Sequence, residues 1–196
     1  MKKAKRKTIN TKFYQIDQSG KIEQTNKNTV IAYSNGTKYA ILIHARLKRQ
    51  IHEIFRLHGF TSLSTYYLFS VGVFYLLESL KERSEIIIDT EYPGKDRIIK
   101  SFVTSLLEKN KEFEHEINFA RIGNRPPAHY AAKDVFDKKK KANRVLNLED
   151  FIKAIKKTDG RLRECLSTLV GAQAQSMSKI YHKGNKKSRR RLKKLA

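Results

Sequence analysis

The sequence predicts an α/β fold: three antiparallel strands, then helices alternating with two further strands, flanked by basic tails. Three observations predict it. Residues 13–43 read as short β-rich runs divided by turn residues, residues 47–58 switch to a period of 3.6, and from residue 84 short apolar runs alternate with helical ones.

The first run is Phe13-Tyr14-Gln15-Ile16-Asp17, closed by the turn Gln18-Ser19-Gly20-Lys21, after which the chain resumes at Ile22. Asn28 to Tyr33 and Lys38 to Ile43 are the next two strands, joined through Ser34-Asn35-Gly36-Thr37. Asn-Gly between β-rich runs is a strong hairpin signal, and it predicts a type I′ turn with positive φ at both central residues. Leu47, Ile51, Ile54, Phe55 and Leu57 or His58 then share one helical face, which Gly59 ends. A more apolar helix covers Ser62 to Glu82, with Ser62 or Ser64 as its N-cap. Ser84-Glu85-Ile86-Ile87-Ile88-Asp89 reads as a buried central strand, because its apolar run has no polar alternation. Pro93-Gly94 breaks the chain before a helix over Lys95 to Lys109. Glu116 to Ile122 is the fifth strand, and a loop through Gly123-Asn124-Arg125-Pro126-Pro127 leads into a helix over Ala128 to Lys141. Asn147 and Asp150 form an approximate capping box for a further helix, and Leu162 to Tyr181 reads as helical as well.

Charge bounds the function. The 196 residues carry 42 Lys and Arg against 19 Asp and Glu, a formal net charge of +23. Residues 1–12 hold six basic residues and no acid, and residues 178–196 hold nine and no acid. Like-charge blocks repel and build no core, so they read as a basic N-terminal arm (1–12) and a basic C-terminal tail (178–196) around one domain at 13–177. Such arms suit a nucleic-acid backbone, because each phosphate they neutralise releases a counterion; the plainer reading is that they only keep the chain in solution. The single cysteine, Cys165, excludes an intramolecular disulfide, and with no apolar segment behind the basic start the expected location is cytoplasmic. Thr61 to Leu77 runs 17 residues without a charge, yet it holds several hydroxyl residues and is short for a span. It reads as a buried core helix, with no membrane partner expected.

Two of the apolar runs end on a carboxylate, Asp17 and Asp89. An Asp at the tip of a buried strand is poorly solvated and tends to serve a proton, a cation or a cap. The order of elements, with these two acids in it, resembles the RNase H-like superfamily of nucleases, resolvases and transposases over roughly residues 13–141. The resemblance implies an RNase H-like mixed sheet of three antiparallel strands then two parallel strands, with first and fourth side by side. It also implies two divalent cations, Mg²⁺ or Mn²⁺, held by acids on the first strand, on the fourth and on a later helix. Asp17 and Asp89 fall where the first two belong. The segment from Gly123 to Asp134 resembles the closing helix of RuvC-like resolvases and PIWI-like nucleases, which makes Asp134 the expected third ligand and His129 the next. His129 and Asp134 are five residues apart, about 140° on one helix, so they do not share a face cleanly. Many relatives place a Glu on the first long helix; Glu53 suits that role by height, whereas Glu78 does not, and Glu91 is a further possible oxygen donor.

Each of these residues has an ordinary structural alternative: Asp17 as an Asx-type turn residue, Asp89 as a cap, His129 as a packing group and Asp137 as a solvated partner of Lys138 to Lys141. The expected function is a divalent-metal-dependent nuclease acting on DNA or RNA. The alternative is a nonenzymatic nucleic-acid-binding protein on the same fold, of the ribosome-associated kind.

Overall fold

The structure, a computed structural model, describes residues 12–108, 115–123, 125–156 and 158. Its strands are β1 (Lys12–Ser19), β2 (Thr29–Asn35), β3 (Thr37–Ile43), β4 (Ser84–Asp89), β5 (Glu116–Ala120) and β6 (Arg144–Leu146). Its helices are α1 (Ala45–Leu57), α2 (Ser64–Glu78), α3 (Asp96–Glu108), α4 (Pro127–Phe136) and α5 (Leu148–Lys156), with a 3₁₀ turn at Thr61–Leu63. The strands form one six-stranded mixed sheet in the order β5-β4-β1-β2-β3-β6. β1, β2 and β3 pair antiparallel. β4 lies parallel to β1, β5 parallel to β4, and β6 parallel to β3. Residues 1–11 of the basic arm, the tail and the helix expected over Leu162 to Tyr181 fall outside the described residues, whereas Lys12 opens β1 and pairs with Glu82 at 2.8 Å.

Strand alternation divides the residues between two unequal cores. Tyr14, Ile16, Ile31, Tyr33, Ile41, Ile86 and Ile88 face the larger one, where α1, α2, α3 and α5 cover the sheet. The central helix there is α2, buried continuously from Leu68 to Leu77, which explains the long uncharged run. Among the described residues no helix is long and apolar enough to cross a membrane. The other face is covered by α4, and its core is small: Val30, Ala32 and Ala40 of the sheet against Ala131, Ala132 and Val135 of the helix. Alanine on both surfaces lets α4 lie close to β1, β2 and β3, so the first turn of α4 reaches side chains on that face.

Several elements depart from their expected form. At the β2–β3 tip the register pairs Asn35 with Thr37, and only Gly36 has positive φ (68°), so the turn is not type I′. The helix expected from Ala128 to Lys141 stops at Phe136, five residues early. Four consecutive lysines follow, and their repulsion disfavours another turn; Lys138 instead adopts φ 61° and the chain reverses. Asn143 then exchanges hydrogen bonds with Ala40, its N–H donating to Ala40 O and its Oδ1 accepting from Ala40 N–H, both at 2.9 Å. That contact docks β6, a strand the sequence did not signal. The capping box at α5 is present in both directions: Asp150 N–H donates to Asn147 Oδ1 at 2.9 Å, and Asn147 N–H donates to Asp150 Oδ2 at 3.2 Å. α1 carries a charge in its apolar face, because Lys48 is fully buried while Leu57 is 59% exposed.

Candidate metal centre

Sheet register brings the acids together. β1 and β4 run parallel with Ile16 opposite Ile88, so the next residue on each strand, Asp17 and Asp89, emerges at the same level. Since Ile16 and Ile88 face the larger core, alternation turns Asp17 and Asp89 towards α4. β4 ends at Asp89, and a tight bend with Glu91 N–H donating to Asp89 O at 2.9 Å swings Glu91 back beside it. One carboxylate oxygen from each of Asp17, Asp89 and Glu91 lies within 4.8 Å of the other two.

Each acid is held. Asp17 is 6% exposed; its Oδ1 accepts the Gln18 backbone N–H at 2.6 Å, and its Oδ2 lies 3.2 Å from His129 Nδ1. His129 sits in the first turn of α4, which Pro127 starts in a helix-ready conformation. Asp89 Oδ1 accepts the backbone N–H of Ile122 at 3.0 Å, tying the end of β4 to the segment after β5. Glu91 is half-buried and lies beside Asp17 and Asp89.

The electrostatics follow from burial and crowding. Burial pushes the Glu91 carboxyl up to about 7; the Gln18 amide opposes the shift, and the negative charges of Asp17 and Asp89 add to it. Asp17 is raised for the same first reason, with Asp89 adding to the shift while the Gln18 N–H and His129 oppose it. Three acids thus crowd one largely buried place, with the His129 imidazole against Asp17. A cation would relieve that crowding, and oxygen-only donors suit a hard divalent ion.

The remaining expected ligands lie elsewhere. Asp134 is not in the cluster; its Oδ2 pairs instead with Lys140 Nζ at 3.2 Å. Asp137 pairs with Lys133 at 3.1 Å, in keeping with a solvated role. Glu53 is more than half exposed and bidentate to Arg56, at 2.7 and 2.8 Å, on a helix that packs against the opposite face of the sheet. The sheet itself stands between Glu53 and Asp17. Glu78 ends α2 near Arg144, 3.8 Å away, also outside the cluster. The third acid is therefore Glu91. Its signal in the sequence was the spacing Asp89-Thr90-Glu91 before Tyr92-Pro93-Gly94, a carboxylate two residues past a strand end and just ahead of a turn.

No family model, curated protein sequence or solved structure matches the chain.

Proposed function

We propose that the protein is a divalent-metal-dependent nuclease that cleaves phosphodiester bonds of DNA or RNA on an RNase H-like fold. The observation that carries the reading is the convergence of Asp17, Asp89 and Glu91 within 4.8 Å at the carboxyl ends of two neighbouring parallel strands. The sheet order β5-β4-β1-β2-β3, with the first strand between an antiparallel and a parallel neighbour, supports the fold assignment. The net charge of +23 supports a polyanionic substrate.

Asp17, Asp89 and Glu91 would hold Mg²⁺ or Mn²⁺, which supplies Lewis acidity at a phosphoryl oxygen and lowers the pKa of a bound water. The chain's own residues do the rest. Asp17, buried and fixed by the Gln18 N–H, keeps one oxygen in a constant direction. His129, with Nδ1 3.2 Å from Asp17 Oδ2 and its side chain 32% exposed, would act as a proton acceptor or donor near the reacting phosphate. Lys133 and the lysines from Lys138 to Lys141 lie further along α4 and the turn after it, where they offer sequence-independent contacts to a phosphate backbone.

The test is cleavage of labelled single-stranded, duplex, hybrid and branched substrates with Mg²⁺ or Mn²⁺. The native protein cuts at least one of them, and Asp17→Asn with Asp89→Asn lowers the rate by at least about a thousandfold, since loss of the ion removes the largest electrostatic contribution. No cleavage by the native chain, or undiminished cleavage by the double variant, sinks the proposal. Salt-sensitive binding without metal dependence would favour the nonenzymatic nucleic-acid-binding alternative.

A further inference from the structure

α3 carries two stripes along its length. Ile99, Val103 and Leu106 face the larger core and are buried. Ile98, Phe102 and Ser105, each one residue earlier, make a second stripe beside the first, with Ser101 between them. Together with Tyr67 of α2, Arg97 and Thr158, this stripe lines a groove of about 410 Å³. Phe102 stands edge-on to Tyr67 with ring centroids 4.3 Å apart, and Ile98 is 38% exposed. Serine at 101 and 105, one turn apart, leaves space beside Phe102 that a larger side chain would fill. The chain itself arrives here. Beyond α5, Thr158 is 5% exposed, and its N–H and hydroxyl both donate to Ile155 O, at 2.9 and 2.7 Å. Residues 159–196 therefore continue from a residue that lines the groove. In the sequence, Asp159-Gly160-Arg161 comes next. Leu162, Leu166, Leu169, Val170, Met177 and Ile180 then recur at helical spacing, within an arc of about 100° that Gln173 alone interrupts.

We propose that the groove seats the chain's own segment at residues 162–170, with its leucine stripe packed on Ile98 and Phe102. The tether from Thr158 is three residues, so the effective concentration at the groove is on the order of millimolar, far above what a separate partner supplies. The volume suits a few aliphatic side chains, which matches the first turns of the stripe and not its full length. Small side chains at 101 and 105 let a second helix approach α3 closely. Covering Ile98 and Phe102 with Leu162 and Leu166 takes apolar surface of both partners out of water at once. Arg97 and the net charge of +23 oppose a second copy of the chain in the same place. The groove lies on the α2 and α3 side of the sheet, so this seat stands apart from the acid cluster and from any reading of it.

The single cysteine, Cys165, lies at the margin of the stripe and supplies the probe. Ser101→Cys and Ser105→Cys each add one thiol to the groove of the full-length chain, and a disulfide forms only where the two Cα atoms come within about 7 Å. Oxidation with diamide links Cys165 to the new thiol in at least one variant, seen as a faster-migrating monomer on nonreducing gels, while a Lys38→Cys control on the exposed start of β3 stays reduced. Leu162→Asp with Leu166→Asp, in the otherwise native chain, lowers the unfolding temperature by about 5 °C or more, because two seated leucines are lost. Absence of the link in both serine variants overturns the proposal, and so does an unfolding temperature unchanged in the double aspartate variant. Crosslinks formed only between chains also overturn it and give the groove to a second copy.

Discussion

Three carboxylates crowded at one place cost the fold stability that a cation would return. Glu91, pushed up to about 7, shows that cost most clearly. Replacing it with glutamine at pH 7.5 removes one negative charge, so Glu91→Gln in the absence of divalent ions is more stable than the native protein by about 1 kcal/mol and unfolds at a higher temperature. On the proposed cation site, Mn²⁺ raises the unfolding temperature of the native chain and does so less for this variant. Differential scanning calorimetry with and without Mn²⁺ checks both halves, and a variant that is destabilised or as responsive as the native chain contradicts the crowding account. Lys48 poses the opposite case. Its ammonium donates to Lys21 O, Gln24 O and Thr29 Oγ1, at 2.8, 2.8 and 2.9 Å, yet burial lowers its pKa to about 8 from 10.5. Below about pH 8 both folded and unfolded chains carry the proton and the burial cost is present in full. Between about 8 and 10.5 the folded chain releases its proton first, so stability rises with pH. Relative to Lys48→Met, the native protein gains about 1–2 kcal/mol between pH 8 and pH 9.5, readable by urea denaturation at each pH. Asp17 and Asp89 were legible in the sequence because a carboxylate closing an apolar run is a local signal. Lys48 was not, because nothing in a helical period marks which charge will find three acceptors; nor was the role of Glu91 over Asp134, which depends on how a bend returns the chain after β4.

At the scale of elements, the turn after β1 controls how α4 meets the sheet. Gly20 has φ 75°, and a Cβ there would lie 2.5 Å from Asn28 O and 2.5 Å from the Phe136 ring at the end of α4. Backbone on one side and a ring on the other leave no room, and the conformation itself is strained for an L residue. Gly20→Ala therefore destabilises the protein by about 2–3 kcal/mol, measured by chemical denaturation. Because the displaced ring belongs to the helix that carries His129, the same change lengthens the His129–Asp17 contact now at 3.2 Å, visible as a shift of the His129 ring resonances. The three antiparallel strands and the helix faces were readable from period and turn chemistry. β6 was hidden because three residues carry no periodicity, and the end of α4 was hidden because alternation of Ala, Val and Phe continues smoothly into the lysine run.

For the molecule as a whole, the net charge of +23 sets the salt dependence expected of the proposed nucleic-acid partner. Affinity for a nucleic acid of mixed sequence falls by about a thousandfold or more from about 50 to about 200 mM salt if six or more phosphates are contacted. Removing residues 178–196, with their nine basic residues, makes the plot of log affinity against log salt less steep and leaves any metal-dependent cleavage in place. Fluorescence anisotropy across a salt series measures the slope; a slope unchanged by the truncation assigns the contacts to the folded body. The parallel pairing of β1 with β4 gives the molecule a timing as well as a shape. β1, β2 and β3 can pair as soon as they are made, because hairpins close locally, but the far edge of β1 stays open until residues 84–89 arrive. Asp17 waits on that edge for Asp89 and Glu91, and then for His129 from a helix synthesised later still. A chain interrupted before residue 91 holds an incomplete acid cluster, and one interrupted before α4 lacks the imidazole that meets Asp17, so the whole centre is a property only of chains extended past α4.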